Sequence, residues 1–219
     1  MRTVRILIAD DHDLVRRGQK ALLESHAGWE VCGEATTGRE AVAKAEELKP
    51  DIAILDITMP ELNGVDAAKR IREASRNTEV LILSMHYSDE LIREILAAGV
   101  RGYVLKSDSG RDLIIAVEAL ANHKPFFTSR ATEAILTNFY EGKSRSADAT
   151  GPMHDRLTSR EREVVQLLAE GKSTKEVASS LFVSVKTAET HRANIMRKLK
   201  VHSVSELVRY AVRNKIVEP

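Results

Sequence analysis

Asp10, Asp11, Asp56, Ser84 and Lys106 each follow a short apolar run, and together they could carry out phosphoryl chemistry. Three carboxylates drawn to one place repel one another, and their pKa values rise unless a cation joins them. A hard divalent ion with oxygen ligands answers that repulsion, and Mg2+ characteristically combines one or two carboxylates with phosphate and water. Ser84 adds a hydroxyl, and Lys106 adds a compact charge suited to a phosphoryl oxygen. Such a set equips one carboxylate to attack phosphorus and form an acyl phosphate. Asp56 has the best placement. Ile52 to Leu55 is an unbroken apolar run, as in strands buried on both faces, and Pro60 and Asn63-Gly64 mark a loop before the next helix. The carboxyl end of a central strand is where open α/β sheets bind ligands.

Taken singly, these residues have plainer readings. Asp10 and Asp11 would serve as helix caps, Ser84 as a strand-end hydroxyl and Lys106 as a solvated charge. His12 and His86 flank the same edge and are read as surface residues, since no histidine pair has metal-ligand spacing. The chemical reading depends on the strand ends converging.

Alternating periodicity supplies that convergence. Val4–Ala9, Glu30–Ala35, Ile52–Leu55, Glu79–Leu83 and Gly102–Leu105 read as strands. Helices are expected over 14–25, 39–48, 64–74, 88–98 and 111–121 between and after them. Strict alternation predicts an α/β fold, a doubly wound five-stranded parallel sheet with helices on both faces. Pro125-Phe-Phe-Thr128 breaks the pattern, and residues 129–140 then place Ala131, Ile135, Leu136 and Phe139 on one helical stripe. Residues 142–155 have no periodicity and read as a flexible linker.

Composition bounds the rest. A chain of 219 residues accommodates two modest domains. No apolar run approaches a membrane span and no signal-peptide core is present, so a cytoplasmic location is expected. Cys32 is the only cysteine, which excludes an intrachain disulfide or thiolate cluster. The net charge of +1 conceals an asymmetry: residues 1–155 sum to −5 and residues 156–219 to +6. A basic C-terminal third suggests a polyanionic partner.

That third reads as a second, smaller all-α domain. Thr158 and Glu161 form a capping-box pattern before the first helix, and Gly171 ends it. Ser173-Thr174 opens a second helix, Phe182-Val183 is a short turn, and Ser184 caps a third helix to about Lys200. Two helices joined by a tight turn, the second longer and cationic, fit a helix-turn-helix. At 100° per residue, Ala188, Ile195 and Leu199 define the buried face of the third helix. Lys186, Glu189, Thr190, Ala193 and Arg197 lie opposite, with Thr187, Asn194 and Lys198 to one side. These donors and small residues suit a major groove. Arg192 lies beside the apolar stripe and could reach a phosphate, whereas His191 falls on the packing side. A last helix covers 204–214.

In Asp10-Asp11, Asp56, Met59-Pro60, Gly64, Ser84, Tyr103 and Lys106, residues 3–122 resemble the receiver domain of two-component response regulators. The resemblance implies that Asp56 accepts a phosphoryl group from a sensor histidine kinase. It also implies that Asp10, Asp11, Asp56 and the Thr58 carbonyl hold Mg2+, with Asp11 the more direct of the first two. Ser84 and Lys106 would grip the phosphoryl oxygens, and Tyr103 would be the rotameric switch. Many receivers have a cis proline after the lysine. Ser107 stands here, so that loop geometry is not carried over.

Leu157-Thr-Ser-Arg-Glu-Arg-Glu163, Lys186-Thr187, His191-Arg192 and Ile195-Met-Arg-Lys-Leu199 resemble the LuxR-type helix-turn-helix. Receiver plus this module resembles the NarL/FixJ family of transcriptional regulators. The resemblance implies a phosphorylation-controlled regulator that binds double-stranded DNA and is a homodimer when phosphorylated or DNA-bound, with the last helix as the DNA-bound dimer contact. Expected domains are a receiver over 1–122, a linker over 123–155 with a helix near 129–141, and the DNA-binding module over 156–219. Glu189 replaces a basic residue common in relatives. Glutamate can accept from cytosine N4, which would shift sequence preference. One rival is a phosphohydrolase with Asp56 as nucleophile, but such enzymes commonly carry a second aspartate two residues later, where Thr58 stands. The other rival is a protein-interaction module, and the +6 tail with its polar helix face disfavours it. The expectation is a regulator without enzymatic turnover.

Overall fold

The computed structural model describes residues 3–85, 87–108, 110–144, 157–214 and 216–217. His86 and the linker stretch 145–156 therefore lie outside the described residues. Two compact units emerge, Met1–Ala147 and Asp148–Pro219.

The first unit runs β1 (Val4–Ala9), α1 (Asp13–Glu24), β2 (Trp29–Ala35), α2 (Gly38–Leu48), β3 (Ile52–Asp56), α3 (Gly64–Ala74), β4 (Glu79–Ser84), α4 (Asp89–Ala97), β5 (Gly102–Leu105), α5 (Gly110–Ala121), β6 (Phe126–Phe127) and α6 (Ser129–Ser144). All pairings are parallel, in the order β2-β1-β3-β4-β5-β6. Period-two alternation splits the strands between two cores. Leu7, Ala53 and Leu55 face α2, α3 and α4 residues such as Ala41, Ile71 and Ile92, while Ile6, Ile8, Ile52 and Ile54 pack with Leu23, Leu113 and Val117 of α1 and α5. Both faces of the central strands are thereby dry, which accounts for their continuous apolar runs.

The sheet has six strands, not the expected five. β6 is two residues long, pairing Phe126 with Gly102 and Phe127 with Tyr103. Pro125 precedes it, and a two-residue strand carries no periodicity to detect. The following helix, expected near 129–141, extends to Ser144. Ala131 is fully buried in the core shared by α2–α4, and Ile135 packs against it. Leu136, expected on the same stripe, is 49% exposed, and the Phe139 side chain lies outside the described residues.

The second unit contains α7 (Ser159–Ala169), α8 (Thr174–Ser180), α9 (Val185–Leu199) and α10 (Val204–Arg213). Thr158 and Glu161 form the expected reciprocal capping box, and Ser173 and Glu176 form another. Ser184 accepts from the Thr187 amide and caps α9. Val164, Leu167, Val177, Ala188, Ile195, Leu207 and Ala211 form one core from all four helices.

Candidate functional site

The strand order reverses direction between β1 and β3, which opens a crevice at their carboxyl ends. Asp10 follows β1 and Asp56 ends β3, so both carboxylates enter that crevice. Asp10 and Asp56 are 1% and 2% exposed. The Lys106 ammonium bridges them, with Nζ at 2.8 Å from an oxygen of each.

The remaining contacts fix the orientation of each acid. Asp56 Oδ1 accepts from the Ile57 amide at 2.8 Å. Its Oδ2 takes the charge-assisted contact with the Lys106 ammonium. Asp10 Oδ1 accepts from the His12 amide at 2.9 Å, and Oδ2 lies 3.5 Å from the Gln19 amide nitrogen. Asp11 sits at the solvent edge, with His12 Nδ1 2.9 Å from its carboxylate. Ligand atoms of Asp10, Asp11, His12 and Asp56 all lie within 4.8 Å of one another. Sequence reasoning placed His12 on the surface. It is exposed, yet it closes this cluster, and its position directly after Asp11 was the available signal. Gln19 had none, because only the packing of α1 brings it beside Asp10.

Burial is the main influence on the Asp56 carboxyl and pushes its pKa up to about 6. Lys106 pulls the other way, and the neighbouring Asp10 adds to the rise. For Lys106, burial opposes the charge, but Asp56 and Asp10 outweigh it and the ammonium is held above its ordinary value. An ion pair this buried is costly to form and more costly to break.

Ser84 ends β4 and is buried, and its carbonyl accepts from the Lys106 amide at 2.7 Å. Tyr103 of β5 is fully buried and hydrogen-bonds the Ser84 side chain. Burial drives the Tyr103 phenol up to about 12, with the serine bond opposing. The loop after β3 is held from several sides. The Gly64 amide donates to the Ile57 carbonyl at 2.8 Å and the Gly38 amide to the Pro60 carbonyl at 3.3 Å. Asn63 caps α3 by accepting from the Asp66 amide. Thr58 lies half-buried in this loop. After β5, Asp108 accepts from the Leu105 amide and closes a turn in which no peptide bond is cis among the described residues.

In the second unit, Lys186, Thr187, Glu189, Thr190, Ala193, Asn194 and Arg197 are exposed on α9. Ala188 and Ile195 are buried beneath them. Two candidate residues stand apart. Lys198 is half-buried and pairs with Glu161 of α7 at 2.7 Å, so its charge is engaged within the unit. Arg192 donates to Thr174 Oγ1 at the start of α8 at 3.2 Å. Arg197 donates to Asn194 at 2.8 Å, which aligns two exposed polar groups on one turn.

Residues 6–118 match the response regulator receiver domain, and residues 155–211 match the bacterial regulatory proteins of the luxR family. The transcriptional regulatory protein LiaR of Bacillus subtilis (strain 168) is 34% identical over 214 residues, spanning 98% of this chain and 99% of that protein. The oxygen regulatory protein NreC of Staphylococcus carnosus (strain TM300) is 36% identical over 216 residues, spanning 98% and 100%. RcsB of Salmonella enterica serovar Typhimurium, solved bound to promoter rprA with the phosphomimetic BeF3-, is similar with a TM-score of 0.62 at 26% identity, covering 95% of this chain and 98% of that one. Fold and matches define a two-domain response regulator, with a receiver and a LuxR-type DNA-binding module. The chain belongs to the NarL/FixJ family of such regulators.

Proposed function

We propose that Asp56 accepts a phosphoryl group from a sensor histidine kinase, and that the added charge controls DNA binding through the exposed face of α9. The observation that carries this reading is a buried carboxylate at the sheet's crevice whose Oδ2 meets the Lys106 ammonium at 2.8 Å, with the Asp10 carboxylate on the same ammonium. With a pKa of about 6 the group is ionised at neutral pH, yet it is poorly solvated, which suits a nucleophile. An Asp56 oxygen forms the new bond to phosphorus as the donor's phosphorus–nitrogen bond breaks. The departing electron pair stays on the imidazole, which then takes a proton from solvent.

The donor set fits a hard divalent cation, because Asp10, Asp11 and Asp56 bring oxygens together where one ammonium alone balances two buried charges. Those three residues and the Thr58 carbonyl would hold Mg2+, which supplies charge neutralisation for the carboxylates and the incoming phosphoryl group. Millimolar Mg2+ is accordingly expected to raise the melting temperature of the wild-type chain. At about ten times the Kd the gain is about 1.4 kcal/mol. Asp11→Ala should remove most of that gain, as read by thermal melts across a Mg2+ titration. Equal gains in both proteins would argue against the site.

Phosphorylation adds about 1.5 to 2 negative charges, and on this reading Ser84 and Lys106 meet them. Ser84 is already bonded to Tyr103, so a serine that turns toward phosphorus alters what holds the tyrosine. The surface built from α4, β5 and α5 changes in turn. Dimerisation or unmasking of α9 follows. The test is a titration of the full chain with duplex DNA chosen by it from a random pool, with and without beryllofluoride and Mg2+. Affinity is expected to rise with beryllofluoride. Log K should fall linearly with log salt, at a slope of about −0.9 per phosphate contacted. Absence of binding at every salt concentration would overturn the reading.

A further inference from the structure

The turn between α8 and α9 presents an aromatic ring to solvent. Phe182 is 93% exposed, and its backbone is left-handed, with φ of 54°. The Phe182 amide donates to the Ser179 carbonyl at 3.2 Å and the Val183 amide to the Ala178 carbonyl at 3.0 Å. This is the helix-ending motif in which the left-handed place normally goes to glycine, or to asparagine, because a Cβ there is strained. Its neighbours Leu181 and Val183 pack into the four-helix core. Phe182 therefore takes a strained backbone and leaves its ring in water, outside the four-helix core of the described residues.

We infer that Phe182 is a positioning residue for DNA, its ring seating on deoxyribose or a thymine methyl at the rim of the major groove. The inference rests on the DNA-binding reading of α9. Only Val183 separates Phe182 from Ser184, the cap of α9, and the N-terminal end of such a helix is the part that enters the groove. Apolar contact with a thymine methyl is one of the ordinary forms of base recognition. The surroundings favour nucleic acid over a protein partner. Ser184, Lys186, Thr187 and Thr190 around the same turn are exposed and polar. Of the large apolar side chains exposed on this turn and α9, Val185 is the only other one among the described residues. A lone ring among hydroxyls and a cation matches a sugar–phosphate edge, not an apolar protein patch.

The test uses the full chain, the selected duplex, and the variants Phe182→Gly, Phe182→Asn and Phe182→Leu, with Lys186→Ala as the electrostatic control. Phe182→Gly and Phe182→Asn are expected to bind about tenfold more weakly, with the salt slope unchanged and the melting temperature held or raised. Phe182→Leu should keep most of the affinity. Lys186→Ala should instead reduce the salt slope by about one phosphate's worth. Wild-type affinity in the Gly and Asn variants, or a loss that tracks a lowered melting temperature, overturns the assignment while leaving the DNA-binding reading in place. Failure of the wild-type chain to bind any duplex would sink both.

Discussion

Asp56→Asn is expected to abolish uptake of label from a small acyl-phosphate donor while making the protein more stable at neutral pH. The first effect is chemical. An amide oxygen is a feeble nucleophile, and the site has no second group presented as Oδ2 is, so uptake should fall at least about 100-fold. The second follows from burial, which lifts the Asp56 carboxyl from 3.8 to about 6. Below about pH 3 the group is protonated in both the folded and unfolded chains and has almost no net effect on stability. As pH rises through that range the unfolded chain ionises first, so the folded state is progressively penalised. The penalty is nearly complete a little above pH 6, at about 3 kcal/mol. Asparagine removes it, keeps the Oδ1 bond from the Ile57 amide, and leaves Lys106 paired with Asp10 at 2.8 Å. Urea melts of both proteins should therefore already diverge at pH 5, by about 1.5 kcal/mol, and diverge further at pH 7.5, by about 3 kcal/mol, with Asp56→Asn the more stable at both. Undiminished label, or a variant less stable at pH 7.5, would contradict the site described above.

The same residues show what was legible in the sequence. Apolar runs ending in a polar residue reported β1, β3, β4 and β5 almost to the residue, because the stretch of each that is buried on both faces leaves no room for a polar interior position. The half-exposed edge strand β2 instead carries Glu30 and Glu34 within it. Order did the rest, since strand-ends of a parallel sheet must share an edge, and Asp10, Asp56 and Lys106 meet there. What escaped was tertiary. Helical periodicity placed Lys198 at the side of the reading face, but it could not reveal Glu161 on another helix 2.7 Å away. It also could not show that the helix beginning at Ser129 anchors Ala131 in the receiver core, since a stripe says that a face is covered and not by what. β6 was missed for a local reason: its two residues follow a proline, and a proline reads as a break.

The division of Asp10's contacts illustrates how one sheet edge serves stability and chemistry together. Asp10, Asp56 and Lys106 form a buried set with two acids and one base, which leaves the crevice short of positive charge. That shortage costs stability in the resting chain and makes a cation or a structural response to added phosphate more consequential. A crevice with balanced charge would be more stable and less responsive.

Gly64→Ala is expected to damage both the fold and the site, for a reason that is purely steric. A methyl group at position 64 would lie 1.9 Å from the Asp56 carbonyl oxygen and 2.8 Å from its carbon. Both are backbone atoms of the strand that carries the acceptor, so no side-chain rotation relieves the overlap. Alanine is the better helix former by about 1 kcal/mol, and Gly64 opens α3, so propensity alone would favour the change. An overlap that can be relieved only by backbone movement in a packed core outweighs it, and a loss of about 3–5 kcal/mol is expected. The movement must pass through the bond from the Gly64 amide to the Ile57 carbonyl, and Ile57 supplies the amide that orients Asp56 Oδ1. Label uptake should consequently slow by about tenfold or more even at temperatures where the variant is fully folded, since small misplacements of a reacting group are costly. Urea denaturation with the slope unchanged but the midpoint lowered would register the first effect. A variant with wild-type midpoint and wild-type uptake would show that α3 does not press on the acceptor strand as the geometry requires.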